Sequence, residues 1–202
     1  MVDKAIGFDY GGVIAGVPGK EFNKRVCEFL NVRLDQYREA YFKFNHLMNN
    51  GQVTGPELWR MVLTELGKDD QYDEFIEFQS RLPHHEVHSN MLRLVDALRK
   101  NGYKVGLLSN NTLKAAKHIR ATGLVDHFDV CVISAEVGMS KPDPKIFEYF
   151  FSRLGVSPEE AIFIDDAEKS LSTASEVGYH PVFFDSYEGL IHELGLLGVK
   201  TV

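Results

Sequence analysis

Six polar residues draw attention because each closes, or closely follows, a short apolar run. Asp9 closes AIGFD, Ser109 and Asn110 end VGLLSN, and Asp165 and Asp166 end AIFIDD. Lys141 comes a few residues after VCVIS. Singly each is weak evidence, since an aspartate after a strand is usually a helix cap and a Lys-Pro pair is usually a solvated loop. Taken in order at four run ends, they form a set with one chemical sense. Carboxylates brought close repel each other, and a divalent cation relieves the repulsion. Magnesium takes oxygen ligands, commonly one or two carboxylates with waters and a substrate phosphate. One carboxylate can then attack phosphorus and form an acyl phosphate. An ammonium and a hydroxyl would hold the phosphoryl oxygens and balance charge in the transition state. Pro142 disfavours the helical region for Lys141, which predicts extended chain at that point.

Such a set needs a scaffold that gathers four distant segments. Residues 5–9, 105–109, 130–134, 161–165 and 181–184 are compact apolar runs, as in a parallel sheet covered on both faces. Ligands of such sheets bind beyond the carboxyl ends of the strands, where these polar residues fall. Residues 135–140 read as a loop leading to Lys141. Met91, Leu94, Val95 and Leu98 form one face of a helix closed by Gly102. Asp143-Pro144 starts another, carrying Phe147, Phe150 and Leu154 and stopped near Gly155. Ser157-Pro158-Glu159-Glu160 matches a capping box. The alternation predicts an α/β fold with a doubly wound, five-stranded parallel sheet.

The stretch between the first two strands is too long for a simple crossover and carries helical spacing only. Phe22, Val26 and Phe29 mark one helix, and Tyr37, Tyr41, Phe44 and Met48 a second ending near Gly51. Thr54 and Glu57 cap a third, bearing Leu58, Met61, Val62 and Leu66 and closed by Gly67. Residues 72–81, with Phe75 and Phe78, make a fourth. The expected division is a core of residues 1–16 and 83–202 with a helical cap, or lid, of residues 17–82 inserted after the first strand.

Composition narrows the classes. With 22 Lys and Arg against 29 Asp and Glu, the net charge of −7 lacks the basic footprint of a nucleic-acid binder. No long apolar run follows a basic start, so a signal peptide is not expected, and no apolar run is long enough to suggest a membrane span. A soluble cytoplasmic protein is expected. Cys27 and Cys131 lack CxxC spacing and read as small buried thiols. His84, His85 and His88 cluster after Pro83, but without a cysteine or a helical HxxxH pair they read as a solvated linker. Tyr37, Tyr41 and Phe44 read as core rather than pocket lining. No G-x-G-x-x-G or P-loop pattern occurs.

The motifs resemble those of the haloacid dehalogenase-like superfamily. GFDYGGVI resembles its first motif, D-x-D-x-[TV], and LLSNNT its second; GMSKPDPKIF resembles the third and IFIDDAEKSLSTASEVG the fourth. NNGQVTGPELW resembles the G-x-[IV]-[ST] turn of helical caps in the phosphatase branch. The resemblance implies Asp9 as nucleophile and metal ligand, with Gly11 offering its backbone carbonyl to Mg2+. It implies Ser109, Asn110 and Lys141 as contacts to the substrate phosphoryl group, with Lys141 also neutralising Asp9. Asp166 would bind the metal, assisted by Asp165. The chain departs from the pattern at Gly11, where the second aspartate, usually the general acid/base, is missing. It departs again at Ser170, where members often have Asp or Asn. Three functions follow: a phosphatase of small phosphorylated substrates, a metal-independent dehalogenase, or a binding protein that kept the fold without turnover.

Overall fold

The computed structural model describes residues 4–16, 19–49, 51–82 and 86–202. The Pro83-His84-His85 stretch read as a linker lies outside these residues, as do the chain positions at which the core and cap were divided. Five parallel strands form one sheet in the order β3-β2-β1-β4-β5. They are β1 (Ala5–Phe8), β2 (Lys104–Ser109), β3 (Val130–Ile133), β4 (Ala161–Asp165) and β5 (His180–Phe183). The first, third and fifth predicted strands end one residue early. Asp9 therefore stands just beyond β1, and Ser134 opens a helical turn.

The central strands are apolar between their ends because helices cover both sheet faces. Ile6, Phe8, Ile162 and Ile164 pack on one face with Met91, Leu94, Val95 and Leu98 of α5 (Ser89–Lys100). Ala5, Leu108 and Phe163 pack on the other with Phe147, Phe150, Phe151 and Leu154 of α8 (Pro144–Leu154). Gly7 and Gly106 are register partners on β1 and β2. A Cβ on either would lie 2.7 Å from a Phe150 ring carbon, so the paired glycines make the recess that seats this ring. The Asp143 side chain accepts the Lys145 N–H at 3.0 Å, and Gly155 closes α8 at φ 72°, as the sequence predicts.

Two sequence expectations for this half need correction. Ser157 makes no capping bond and residues Pro158–Glu160 form only a single 3-10 turn. Glu160 is bonded by both Lys4 and the Ser157 backbone, so the half of the box that is missing is the Ser157 side chain. Residues 135–140 are not all loop, since α7 (Ser134–Val137) occupies the start and ends at Gly138, φ 68°. The remaining helices here are α6 (Leu113–Ala121), α9 (Ala174–Val177) and α10 (Tyr187–Leu196).

Between β1 and α5 lie α1 (Gly19–Leu30), α2 (Leu34–Asn49), α3 (Gly55–Glu65) and α4 (Tyr72–Arg81). Thr54 and Glu57 form the predicted capping box reciprocally: the Thr54 N–H reaches Glu57 at 2.7 Å and the Glu57 N–H reaches Thr54 at 3.4 Å. These helices share a hydrophobic cluster of their own, built on Val26, Leu30, Tyr37, Leu58, Trp59 and Phe75. Tyr37 and Tyr41 belong to it and pack on Trp59 with centroids 6.4 and 5.6 Å away. The chain leaves and re-enters the sheet along paired segments. Gly16 N–H bonds to the Glu86 carbonyl, His88 N–H bonds to the Ile14 carbonyl, and the His88 ring meets the Gly16 carbonyl. Side chains also join the two parts, with Lys169 Nζ 4.7 Å from the Phe42 ring centroid and Lys20 Nζ 5.0 Å from that of Phe183. Cys27 and Cys131 are half-buried rather than buried, Cys27 on α1 and Cys131 on edge strand β3. Among the described residues, no helix is long and apolar enough to cross a membrane.

Candidate active site

The carboxyl end of the sheet gathers the charged residues because β1 and β4 are neighbours and end in step. Asp9 is fixed to β4 by its own N–H, which donates to the Ile164 carbonyl at 2.9 Å. Asp165 is the last residue of β4, and Asp166 follows it. Lys141 enters from the segment between α7 and α8. Its ammonium donates to Asp9 Oδ1 at 2.7 Å and to Asp165 Oδ2. All three are buried, Lys141 at 5% exposure between Asp9 at 8% and Asp165 at 1%. The Phe163 ring lies 5.1 Å from the ammonium and walls it from solvent.

Charge is unbalanced at this point, and that shapes the site. Among the described residues, Lys141 meets Asp9 and Asp165, and oxygens of Asp9, Asp165 and Asp166 all lie within 4.8 Å of one another. Burial pushes the Asp9 carboxyl up to about 7, against the pull of Lys141 and with help from Asp165 and Asp166. Burial acts to lower the Lys141 ammonium, but Asp165 and Asp9 together outweigh it and hold it above the ordinary lysine range. A divalent cation would relieve the surplus negative charge. The donors are hard carboxylate oxygens, the set that magnesium favours, so the residues present fit that ion.

Asp165 has a further task besides any metal contact. Its Oδ2 takes the Lys141 ammonium, and its Oδ1 accepts the Ala167 N–H at 2.8 Å. Lys141 and Pro142 form a turn rather than extended chain, closed by the Asp143 N–H to the Ser140 carbonyl at 2.9 Å, and their peptide bond is cis. The pre-proline rule excludes helix but leaves a turn open. Asn110, expected at the substrate, directs its amide to the Lys141 backbone. Ser109 is buried at the end of β2, on the strand next to β1. Phe8 pairs with Leu107, so Ser109 lies one register step beyond Asp9.

The loop after β1 sets the other wall. Gly12 has φ +83°, and a Cβ there would lie 2.7 Å from Asp166 Cγ. Glycine is what lets this loop lie against the metal-candidate carboxylate. At Gly11 a Cβ would meet nothing within 4 Å among the described residues. Sequence reasoning missed Gly12, and it also missed Phe163 and Tyr179, which pack behind Lys141. Burial pushes the Tyr179 hydroxyl up to about 12, with the Asp165 charge adding to it. Neither aromatic carries a sequence signal that separates it from ordinary core. His88, by contrast, sits apart from the carboxylates at the paired segments.

The haloacid dehalogenase-like hydrolase family matches residues 4–178 of this chain. A D-ribitol-5-phosphate phosphatase of Bacteroides thetaiotaomicron is 27% identical over 87% of this chain and 89% of its own length. A HAD phosphatase from Thermococcus onnurineus superposes with a TM-score of 0.60 at 27% identity, covering 98% of this chain and all of that one. A HAD family enzyme from Bacteroides thetaiotaomicron, solved with magnesium and inorganic phosphate, gives 0.63 at 25% identity over 93% of this chain and 98% of that one. Other relatives are far longer: the chain spans 10% of mouse acyl-CoA dehydrogenase family member 10 and 22% of pig bifunctional epoxide hydrolase 2. With a match that runs through all four strand-end motifs and a five-stranded parallel sheet to carry them, the chain belongs to the haloacid dehalogenase-like hydrolase family.

Proposed function

We propose that this chain is a magnesium-dependent phosphatase of small phosphorylated metabolites, sugar phosphates among them, working through an aspartyl phosphate on Asp9. The observation that carries the reading is the buried Lys141 ammonium held between Asp9 and Asp165, with Asp166 beside them. The relative that acts on D-ribitol 5-phosphate, matched over most of both chains, supports a sugar-phosphate substrate.

Lys141 holds Asp9 through Oδ1 and leaves Oδ2 for attack on phosphorus. The Asp9–phosphorus bond forms as the bond to the substrate oxygen breaks. Lys141 and Ser109 stabilise the charge that grows on the phosphoryl oxygens. Water then attacks the phosphorus of the acyl phosphate, which returns Asp9 as a carboxylate and releases inorganic phosphate. Asp9, Asp166, Asp165 and the Gly11 carbonyl would hold magnesium, which would neutralise phosphoryl charge when bound. The helices α1–α4, poised over the strand ends on paired connecting segments, act as the lid that selects the leaving group.

The test is hydrolysis of p-nitrophenyl phosphate and a panel of sugar phosphates, with magnesium and with excess EDTA. Activity should need the metal, and folded Asp9→Asn should lose at least about 10³-fold in kcat. Folded Asp9→Asn with near wild-type turnover would sink Asp9 as nucleophile. Dehalogenation of a 2-haloacid in EDTA would select the dehalogenase reading. Gly11 favours a binding protein as the second reading, and phosphate binding without turnover on any ester would select it.

A further inference from the structure

The Asn110 side chain clips the Lys141 backbone at both polar groups. Its Oδ1 accepts the Lys141 N–H at 2.8 Å, and its Nδ2 donates to the Lys141 carbonyl at 2.8 Å. A backbone N–H can only donate, which fixes which end of the amide is oxygen. Lys141 is therefore held twice, by Asn110 at its backbone and by Asp9 and Asp165 at its ammonium.

The next residue ties this loop to the helical lid. The Asn111 N–H donates to the hydroxyl of Ser134, a fully buried residue, at 3.0 Å. That hydroxyl has two acceptors in reach, the Asn111 carbonyl at 3.2 Å and the carbonyl of Asn49 at 3.1 Å. Asn49 is the last residue of α2. A hydroxyl has one proton to give, so the two acceptors compete. With α2 seated, the proton can go to Asn49. If α2 withdraws, Asn111 takes it, and Ser134 is never left buried without a partner. The Asn111 carbonyl also accepts the Ala135 N–H at 3.3 Å, so it stays paired in both arrangements. A lid movement would thus leave no buried polar group of this loop unpaired.

We infer that Asn110 and Ser134 are positioning residues. Asn110 sets Lys141 against Asp9, and Ser134 makes the loop that carries Asn110 respond to the seating of α2. The inference rests on the phosphatase reading, and it gives Asn110 a role through Lys141 instead of the direct substrate contact expected from sequence. Lys141 matters most when charge moves onto the phosphoryl oxygens, so its displacement should weaken the transition state more than the ground state.

The test uses p-nitrophenyl phosphate turnover, with orthovanadate as a transition-state analogue and inorganic phosphate as a ground-state ligand. Asn110→Ala should lower kcat by about 10²-fold, the order expected for a misplaced catalytic group. Its vanadate affinity should fall in parallel, while phosphate affinity should change by less than about threefold. Asn110→Asp keeps an acceptor for the Lys141 N–H and should recover part of kcat; it serves as the probe if the alanine variant does not fold. Ser134→Ala should raise KM and lower kcat, and the double variant should lose less than the product of the single losses. Equal weakening of vanadate and phosphate would make Asn110 a direct ligand and overturn the inference, as would an unchanged kcat. Independent effects in the double variant would break the link to α2. A wild-type protein that binds neither anion would remove the phosphatase reading and this inference with it.

Discussion

Gly11→Asp is the most informative single change. It would restore the acid/base carboxyl that the first motif of the family usually carries. The structure allows the substitution on steric grounds. Gly11 is not among the residues at positive φ, and a Cβ there meets nothing within 4 Å among the described residues. A fourth carboxylate beside Asp9, Asp165 and Asp166 does carry an electrostatic penalty. Two like charges about 6 Å apart repel by about 3 kcal/mol at an effective dielectric constant of about 20. The variant should therefore be less stable than wild type in EDTA and regain most of the difference in magnesium. Its kinetic effect depends on the leaving group. A p-nitrophenolate departs as a stable anion and needs little protonation, whereas a sugar alkoxide needs a proton. General acid catalysis contributes about 10²–10⁴-fold, equivalent to about 3–5 kcal/mol of barrier. The assay is kcat/KM for one aryl and one alkyl phosphate in both proteins. A rise confined to the alkyl ester supports the reasoning. Equal rises on both esters, or fast wild-type turnover of the alkyl ester with no rise in the variant, would refute it and point to a different proton donor.

Other outcomes follow from the same geometry. Lys141→Ala should lower kcat/KM by at least about 10³-fold and reduce stability in denaturant titrations, because two buried carboxylates lose their shared cation. Lys141→Arg should restore little of the rate, since a planar guanidinium cannot replace a compact ammonium between two close oxygens; wild-type kinetics in either variant would contradict the site. Asp166→Ala should raise the magnesium needed for half-maximal rate by at least about tenfold, and an unchanged magnesium titration would remove it as a ligand. Gly12→Ala should lower both melting temperature and kcat, since it forces a side chain into φ +83° and against Asp166; a variant with wild-type values would show that the loop can move away freely.

Much of this was legible because the signals are local and periodic. All five apolar runs form strands, and the end of β4 falls at the predicted residue because its last residue, Asp165, is also its first charged one. The Thr54 box and the Asp143-Pro144 start were readable because each satisfies its bonds within three residues. Ser157 looked equivalent, yet its side chain makes no capping bond, and Glu160 also pairs with Lys4, which is distant in sequence. Asn110 shows the same limit at the site. Its place after a strand was readable, but not that its amide bonds to the backbone of a residue 31 positions away. Helix α10 went unread because Gly189 and Gly195 interrupt its pattern. The core role of Trp59 was missed because an aromatic cluster assembled from several helices has no single period.

The adjacent glycines of the β1 loop illustrate why residue type alone underdetermines the chemistry. Gly11 and Gly12 are identical letters, and a motif comparison marks only the first as unusual. The structure assigns them opposite constraints. Gly12 is obligatory, because its backbone occupies the left-handed region and its missing Cβ makes room for Asp166. Gly11 is a glycine without a steric reason, since its backbone and surroundings would accept a side chain. A position that packing leaves free, beside the proposed nucleophile that packing holds tightly, is one where composition answers to the reaction. The absence of a carboxyl there then bears on the substrate's leaving group and on the source of its proton. It does not bear on whether the loop can fold.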